Sequence, residues 1–89
     1  MTKVVLIRWL DAESHADDRW LQLDEAIEYA KDELKPCVSV GFLVAETWKH
    51  VSIATSNGHD VIGTIWKIPK GMILEQRVIC ELNEQSETT

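Results

Sequence analysis

The sequence has little of what marks several large classes of protein. Its 89 residues include two cysteines, Cys37 and Cys80, too few for the disulfide framework of a small secreted domain. Each lies in an apolar, strand-like run, which predicts buried free thiols. No apolar run approaches the roughly 18 residues that a membrane-spanning helix needs, and the opening residues lack the cleavage site of a signal peptide. We therefore expect a cytoplasmic protein with no membrane partner.

Basic residues are scarce as well. Nine Lys and Arg stand against 15 Asp and Glu, a net charge of −6. Nonspecific binding to nucleic acid depends on Lys and Arg at the phosphates, so extended nucleic acid is not expected as a partner. The charge is uneven, because residues 1–36 sum to −4, residues 37–80 to +1 and residues 81–89 to −3. The acidity lies outside the part of the chain that is richest in predicted strands.

A chain of this length supports one modest core, and its first third predicts a strand followed by a helix. Residues 3–10 are rich in β-branched and aromatic residues, which indicates a strand buried on much of both faces. Residues 11–20 form an acidic connection. The apolar residues that then recur at helical spacing are Leu23, Ile27, Ala30 and Leu34. This spacing predicts an amphipathic helix that is capped by Asp24, ends before Pro36 and packs on the domain.

Four further strands are predicted in the rest of the chain. Gly41 lies within the first of them and indicates a bulge or bend. Asn57-Gly58 is typical of a tight hairpin turn, and Pro69-Lys70-Gly71 combines a fixed backbone angle with a permissive one, which suits a turn that presents Lys70 outward. The predicted strands span residues 37–44, 50–56, 61–68 and 72–80.

Together these elements predict an α+β fold in a single domain, residues 1–80, followed by an acidic, disordered tail at residues 81–89. Five strands with bends in so few residues most economically form a small, strongly bent antiparallel sheet or barrel, because a barrel removes exposed edges. One amphipathic helix follows the first strand. An open antiparallel sheet with one helix packed on it is the alternative.

No constellation of residues specifies chemistry. Oxygen ligands and an imidazole occur together in the acidic connection, but without the regular spacing and glycine of a calcium loop. These residues are Asp11, Glu13, His15, Asp17 and Asp18. Cys37 or Ser39 as nucleophile with His50 or His59 as base would need an activated geometry that no motif specifies. We therefore expect no catalytic residue, no metal and no cofactor, and a protein that is not an enzyme.

The four tryptophans divide into two groups. Trp9 and Trp66 lie inside predicted strands and Trp20 precedes the helix, so packing is expected for all three. Trp48 lies in a turn beside Lys49, where there is little room for a buried indole. Contact with a partner is therefore open for Trp48.

Two stretches resemble the signatures of Sm-like proteins, which are SH3-type barrels. The residues that carry the resemblance are Gly41, Phe42, Leu43, Glu46, Trp48 and His50 in one stretch, and Ile68, Lys70, Gly71 and Met72 in the other. The resemblance implies that the loops at residues 46–50 and 69–71 meet at one end of the barrel. The site expected there consists of Trp48, Lys49, His50, Lys70 and Gly71, able to stack a base and meet a phosphate.

The order of RWLDAES, a helix, VGFLVAET, a hairpin and IPKGMI is similar to small uncharacterised proteins of tailed bacteriophages. That resemblance implies an accessory protein, for anti-defence or host takeover, which binds a nucleotide signal or a host protein stoichiometrically instead of by catalysis. The alternatives are an oligomeric Sm-like RNA-binding protein and a small virion or assembly component. A homo-oligomer is expected in each case, because so small a domain gains much from burying further surface.

Overall fold

The computed structural model describes residues 2–16 and 19–83, which form a five-stranded antiparallel sheet and one α-helix. The strand order across the sheet is β4-β3-β2-β1-β5. The prediction of a small five-stranded antiparallel sheet with one helix is confirmed. In chain order the elements are β1 Thr2–Leu10, α1 Leu23–Lys31, β2 Pro36–Glu46, β3 His50–Ala54, β4 Ile65–Pro69, a 3-10 turn Lys70–Met72 and β5 Ile73–Leu82.

The core lies on one face of this sheet. Alternate residues of β1 point into it, and they meet residues of β3 and β4 that lie on the far side of β2. Strands that are not neighbours can share a core on one face only if the sheet bends between them. The buried apolar cluster consists of Val5, Ile7, Trp9, Val51, Ile53 and Ile68, with Leu43 and Ile73 packed against it.

Gly41 lies in the middle of β2, close against β3. A Cβ atom at Gly41 would lie 2.7 Å from the carbonyl oxygen of Ala54 and 3.2 Å from Cβ of Ile53. Such a close approach of the neighbouring strand leaves room for hydrogen alone, which is the role that glycine commonly has inside a strand. The irregularity of β2 lies a little further on, as a register shift between Leu43 and Ala45.

The connection between β4 and β5 also curls the sheet. These two strands lie at opposite edges, about 19 Å apart if five strands were flat. Only Lys70–Met72 joins them, and the four steps from Pro69 to Ile73 span at most about 14 Å. The edges therefore approach each other at this end, although no strand ladder joins β4 to β5 within the described residues.

The helix does not pack as predicted. None of its residues is buried, and Leu23 is 74% exposed. The N-cap residue is Gln22 and not Asp24. The Asp24 carboxylate accepts a hydrogen bond from the amide of the next residue, Glu25. The acidic connection holds the helix: the Tyr29 hydroxyl donates to Glu13 over 3.1 Å, and the rings of Tyr29 and His15 stack with centroids 4.5 Å apart. These contacts of the helix are therefore with the acidic connection and not with the core. Within the described residues, no helix is long and apolar enough to cross a membrane.

Burial was predicted wrongly for several side chains of strands and loops. Cys37 and Cys80 are exposed, because each lies near the end of its strand, where no second layer covers the sheet. Trp20 is 99% exposed and Trp66 52%, so packing is confirmed only for Trp9, which is 9% exposed and donates its indole N–H to Ser39. In β1 the core face is buried, while the opposite face is half-buried or exposed.

Two element boundaries also differ from prediction. β4 begins at Ile65 instead of residue 61. The hairpin turn lies at His59-Asp60, with φ of Asp60 at 60°, two residues beyond the expected Asn57-Gly58. β5 continues to Leu82, so the first residues of the predicted tail, 81–89, belong to the strand. Residues 84–89 lie outside the described part of the chain.

We expect Gly41→Ala to lower the free energy of unfolding by about 1 to 3 kcal/mol, since the new methyl group would overlap the Ala54 carbonyl. Urea denaturation measures the change. Gly71→Ala is the matched control, because no heavy atom lies within 4 Å of its added Cβ and its φ is not positive. Its stability should change by less than about 1 kcal/mol. Equal losses in both variants would contradict the close approach at Gly41.

Candidate functional site

Two turns meet at one end of the sheet. The β2–β3 turn, residues 47–49, touches the start of the 3-10 turn through a hydrogen bond of 2.8 Å from the Lys70 amide to the Lys49 carbonyl. In the same place His50 pairs with Pro69 in the β3–β4 register. We call residues 46–50 and 69–71 the rim. The residues predicted to share a site therefore lie on two segments in direct contact.

Thr47 shapes the first of these turns. Its hydroxyl oxygen accepts hydrogen bonds from the amides of Lys49 and His50, each at 3.1 Å, and its own amide donates to the His50 carbonyl over 2.9 Å. A hydroxyl that bonds nearby amides stabilises a tight turn. Trp48 is consequently at the tip.

The Trp48 indole projects from the rim. It is 82% exposed, and the Lys49 ammonium lies 4.8 Å from its ring centroid. An ammonium at this distance over an indole is a cation–π contact. No ion pair within the described residues involves Lys49. The tip thus offers a large aromatic surface and a positive charge side by side.

Lys70 has a different environment from the one predicted. Instead of pointing outward alone, its Nζ lies 2.8 Å from a carboxylate oxygen of Glu46. Gln76 in β5 donates to the other oxygen of Glu46 over 3.3 Å. The hydrogen bond from Lys70 is the main cause that lowers the pKa of Glu46 below its usual range. This cluster joins β2, the 3-10 turn and β5, so part of the Lys70 charge is already compensated.

His50 and Gly71 complete the predicted site. His50 is half-buried at the start of β3, with Nδ1 3.5 Å from the Thr47 hydroxyl. A Cβ atom added to Gly71 would meet no heavy atom within 4 Å, so there is open space beside Lys70. The rim therefore has an exposed indole, two ammonium groups, one carboxylate and an imidazole.

The sequence did not reveal the role of Glu46 and Gln76. Glu46 was part of the Sm-like signature. Because it lies in the first of the two loops expected to meet, it could have suggested a partner for Lys70 in the second. Gln76 gave no such indication, because it reaches the site only through the curl that brings β5 towards β2.

The other candidate groups are not assembled with the rim. Ser39 accepts a hydrogen bond from Trp9 and lies seven residues before Glu46 in β2, about 23 Å along the strand from the β3 end where His50 lies. His59 is at the distant hairpin turn beside Asp60. Within residues 2–16 and 19–83, no three His, Cys, Asp or Glu side chains are grouped to hold a metal ion. Asp17 and Asp18 lie outside the described residues.

A separate groove of about 210 Å³ contains no rim residue. It is lined by Thr2, Phe42, Leu43, Val44, Asn57 and Ile62.

Comparisons with protein-family models, curated proteins and solved structures gave no match. The chemistry of the rim is therefore the basis for a functional assignment.

The Glu46 pair should make stability depend on pH. Because the pKa of Glu46 is lower in the folded chain than in the unfolded chain, its contribution is present above about pH 4.3, the ordinary glutamate pKa. It is lost as pH falls through the lowered value. Both side chains are more than one-third exposed, so we expect a contribution below about 1 kcal/mol at neutral pH.

Glu46→Gln measures this contribution. Urea denaturation of both proteins should show the wild type as the more stable near neutral pH, with the difference shrinking as pH falls below about 4. Glu28→Gln is the control, because Glu28 is an exposed carboxylate that forms no ion pair within the described residues. A difference between wild type and Glu46→Gln that stays constant with pH would contradict the role given to the ion pair.

Proposed function

We propose that this protein is a phage-type accessory protein that binds a nucleotide signal at the rim, stoichiometrically and without catalysis. The observation that carries the proposal is the exposed Trp48 indole with the Lys49 ammonium beside it. Indoles stack on bases of any sequence, and a neighbouring lysine meets a phosphate. A nucleotide has both a base and a phosphate, close enough together to contact the indole and the ammonium of the β2–β3 turn at once.

The rest of the rim supports the same ligand class. Glu46 fixes Lys70 next to the open space at Gly71, so a phosphate could approach the ammonium without displacing a side chain at residue 71. With Glu46 ionised, Lys49 and Lys70 leave a local charge of +1 on a chain of net charge −6. This local excess favours one small anion, whereas the acidic remainder disfavours a long polyanion. Such a signal would be met in the host cytoplasm.

For the fold, we propose an SH3-type or Sm-like barrel as the finer description. The three-residue connection between opposite edges of the sheet supports it. So does the meeting of the two turns, which the Sm-like resemblance implied. An Sm-like RNA-binding protein is accordingly the second candidate function. The net charge of −6 argues against it, and an affinity for RNA that falls steeply with salt would favour it.

The first test is direct binding. Protein purified from a bacterial host would be heated, the released small molecules identified by mass spectrometry, and a panel of mono-, di- and cyclic nucleotides titrated by calorimetry. We expect Trp48→Ala with Lys49→Ala to weaken binding at least about 100-fold, since a stacked base contributes about 1 to 3 kcal/mol and the charge adds to it.

Trp20→Ala with Lys67→Ala is the matched control. It removes an equally exposed indole and an exposed ammonium outside the rim, and it should leave the affinity unchanged. Equal weakening by the two double variants would contradict a site at the rim. Binding of a purified host protein that survives Trp48→Ala with Lys49→Ala would point instead to a host-protein target at another surface.

A second test addresses the biological role. The protein would be expressed in bacteria that carry individual nucleotide-signalling defence systems, and phage plating would be scored. We expect plating to recover in at least one system with the wild type and to stay low with Trp48→Ala plus Lys49→Ala. Unchanged plating across systems that use the nucleotide identified above would contradict an anti-defence role.

A further inference from the structure

The helix is the least supported element of the structure. It has nine residues, fewer than the roughly 12 to 15 that an isolated helix needs to be even marginally stable in water. Helices this short are normally stabilised by packing their apolar side. Here that side is uncovered: Leu23 is 74% exposed, Ile27 44% and Leu34, just beyond the helix, 39%. We call these three residues the helix stripe.

Over β1 and β2, the outer face of the sheet is uncovered too within the described residues. Val5 and Ile7 of β1 point into the core, so the alternate residue Leu6 and its cross-strand partner Val40 point to the opposite face. Val40 is 52% exposed and Val38, two residues earlier in β2, is 59% exposed. We call Leu6, Val38 and Val40 the sheet stripe. A stable domain normally covers such a face with a second layer.

The helix of the same chain is held away from this face. Glu13 accepts a hydrogen bond from the Tyr29 hydroxyl of the helix at 3.1 Å and one from the Lys35 amide, in the segment after the helix, at 3.3 Å. The ring of His15 stacks on Tyr29. These contacts tie the helix to the loop that precedes it, and no residue of the helix is buried.

We propose that a second copy of this chain supplies the missing layer, with the helix stripe of each copy packed on the sheet stripe of the other. The exchange is reciprocal, so it forms a closed dimer with two-fold symmetry. A standard interface buries roughly 800 Å² per partner. The two stripes of one copy supply six apolar side chains to it, of which Leu23, Val38 and Val40 are more than half exposed.

Charge favours this arrangement over like-with-like contact. Arg8 and Arg77 lie on the outer face beside the sheet stripe, and both bind the single carboxylate of Glu75, at 3.7 and 3.5 Å. One positive charge is left over. The helix carries three acidic residues and one Lys, and Arg19 pairs with Glu25 at 3.6 Å, so a net charge of −1 is left. Two helices side by side would repel, whereas a helix on the outer face meets the opposite sign.

The first experiment is sedimentation velocity of the full chain over a range of concentrations. The wild type should be a dimer. Ile27→Asp and Val40→Asp should each raise the dissociation constant by more than about 100-fold, because each buries an unpaired carboxylate. Val61→Asp is the matched control, since Val61 is 65% exposed outside both stripes, and it should stay dimeric. The proposal would be overturned if the wild type were monomeric at every concentration. It would also be overturned if Ile27→Asp and Val40→Asp each remained dimeric.

Mixing the two variants tests the reciprocal geometry. In a mixed pair, the intact helix of Val40→Asp meets the intact sheet of Ile27→Asp, so one of the two contacts is restored. We expect heterodimers to form from two monomeric variants. Helix-to-helix or sheet-to-sheet pairing predicts no heterodimer, and that result would overturn the exchange.

Folding of each variant is checked by circular dichroism. If an aspartate variant does not fold, Ile27→Ser and Val40→Thr replace it, and both should weaken the dimer and complement each other when mixed. Neither stripe includes a rim residue, so a monomeric wild type would leave nucleotide binding intact, and a failed nucleotide test would leave the dimer intact.

Discussion

Lys70, Gly71 and Met72 are all that joins the two outer strands of the sheet, and the position of every functional group depends on this short connection. Three residues cannot bridge the width of a flat five-stranded sheet. The sheet must curl, and curling brings β1 and β3 onto one small core across β2. Gly41 permits the close strand approach that the curl requires. The Glu46 cluster then links the connection to β2 and β5.

The same curl separates the molecule into two unequal sides. The concave side holds the core, and its end carries the rim, where Trp48 is exposed on a turn whose backbone is tightly bonded. The outer side has apolar residues but no layer over them, and the helix has an apolar side but no support. One small domain thus combines a preorganised tip suited to a small anion with two complementary uncovered surfaces. The nucleotide binding and the self-assembly proposed above would give each of these surfaces a role.

Sequence patterns predicted individual elements better than their environments. The positions of the strands and of Gly41 within β2 follow from local rules, and they were found. The helix was found for the same reason, because its spacing is local. Its packing was predicted wrongly, since amphipathicity shows that an apolar side needs cover but not which chain provides it. The predicted burial of the two cysteines was wrong for a similar reason. An apolar strand predicts burial only where a second layer covers it, and the described residues provide no such layer over Cys37 and Cys80.

By itself the sequence determined the five strands, the helix, the place of Gly41 inside β2 and the two turns that carry the rim residues, because each depends on neighbours in the chain. Only the tertiary structure decided that Lys70 pairs with Glu46, that Gln76 joins them from β5, and that the helix stays off the sheet. These outcomes depend on distances between segments up to 30 residues apart. Such distances are set by the curl of the whole sheet, which no local pattern specifies.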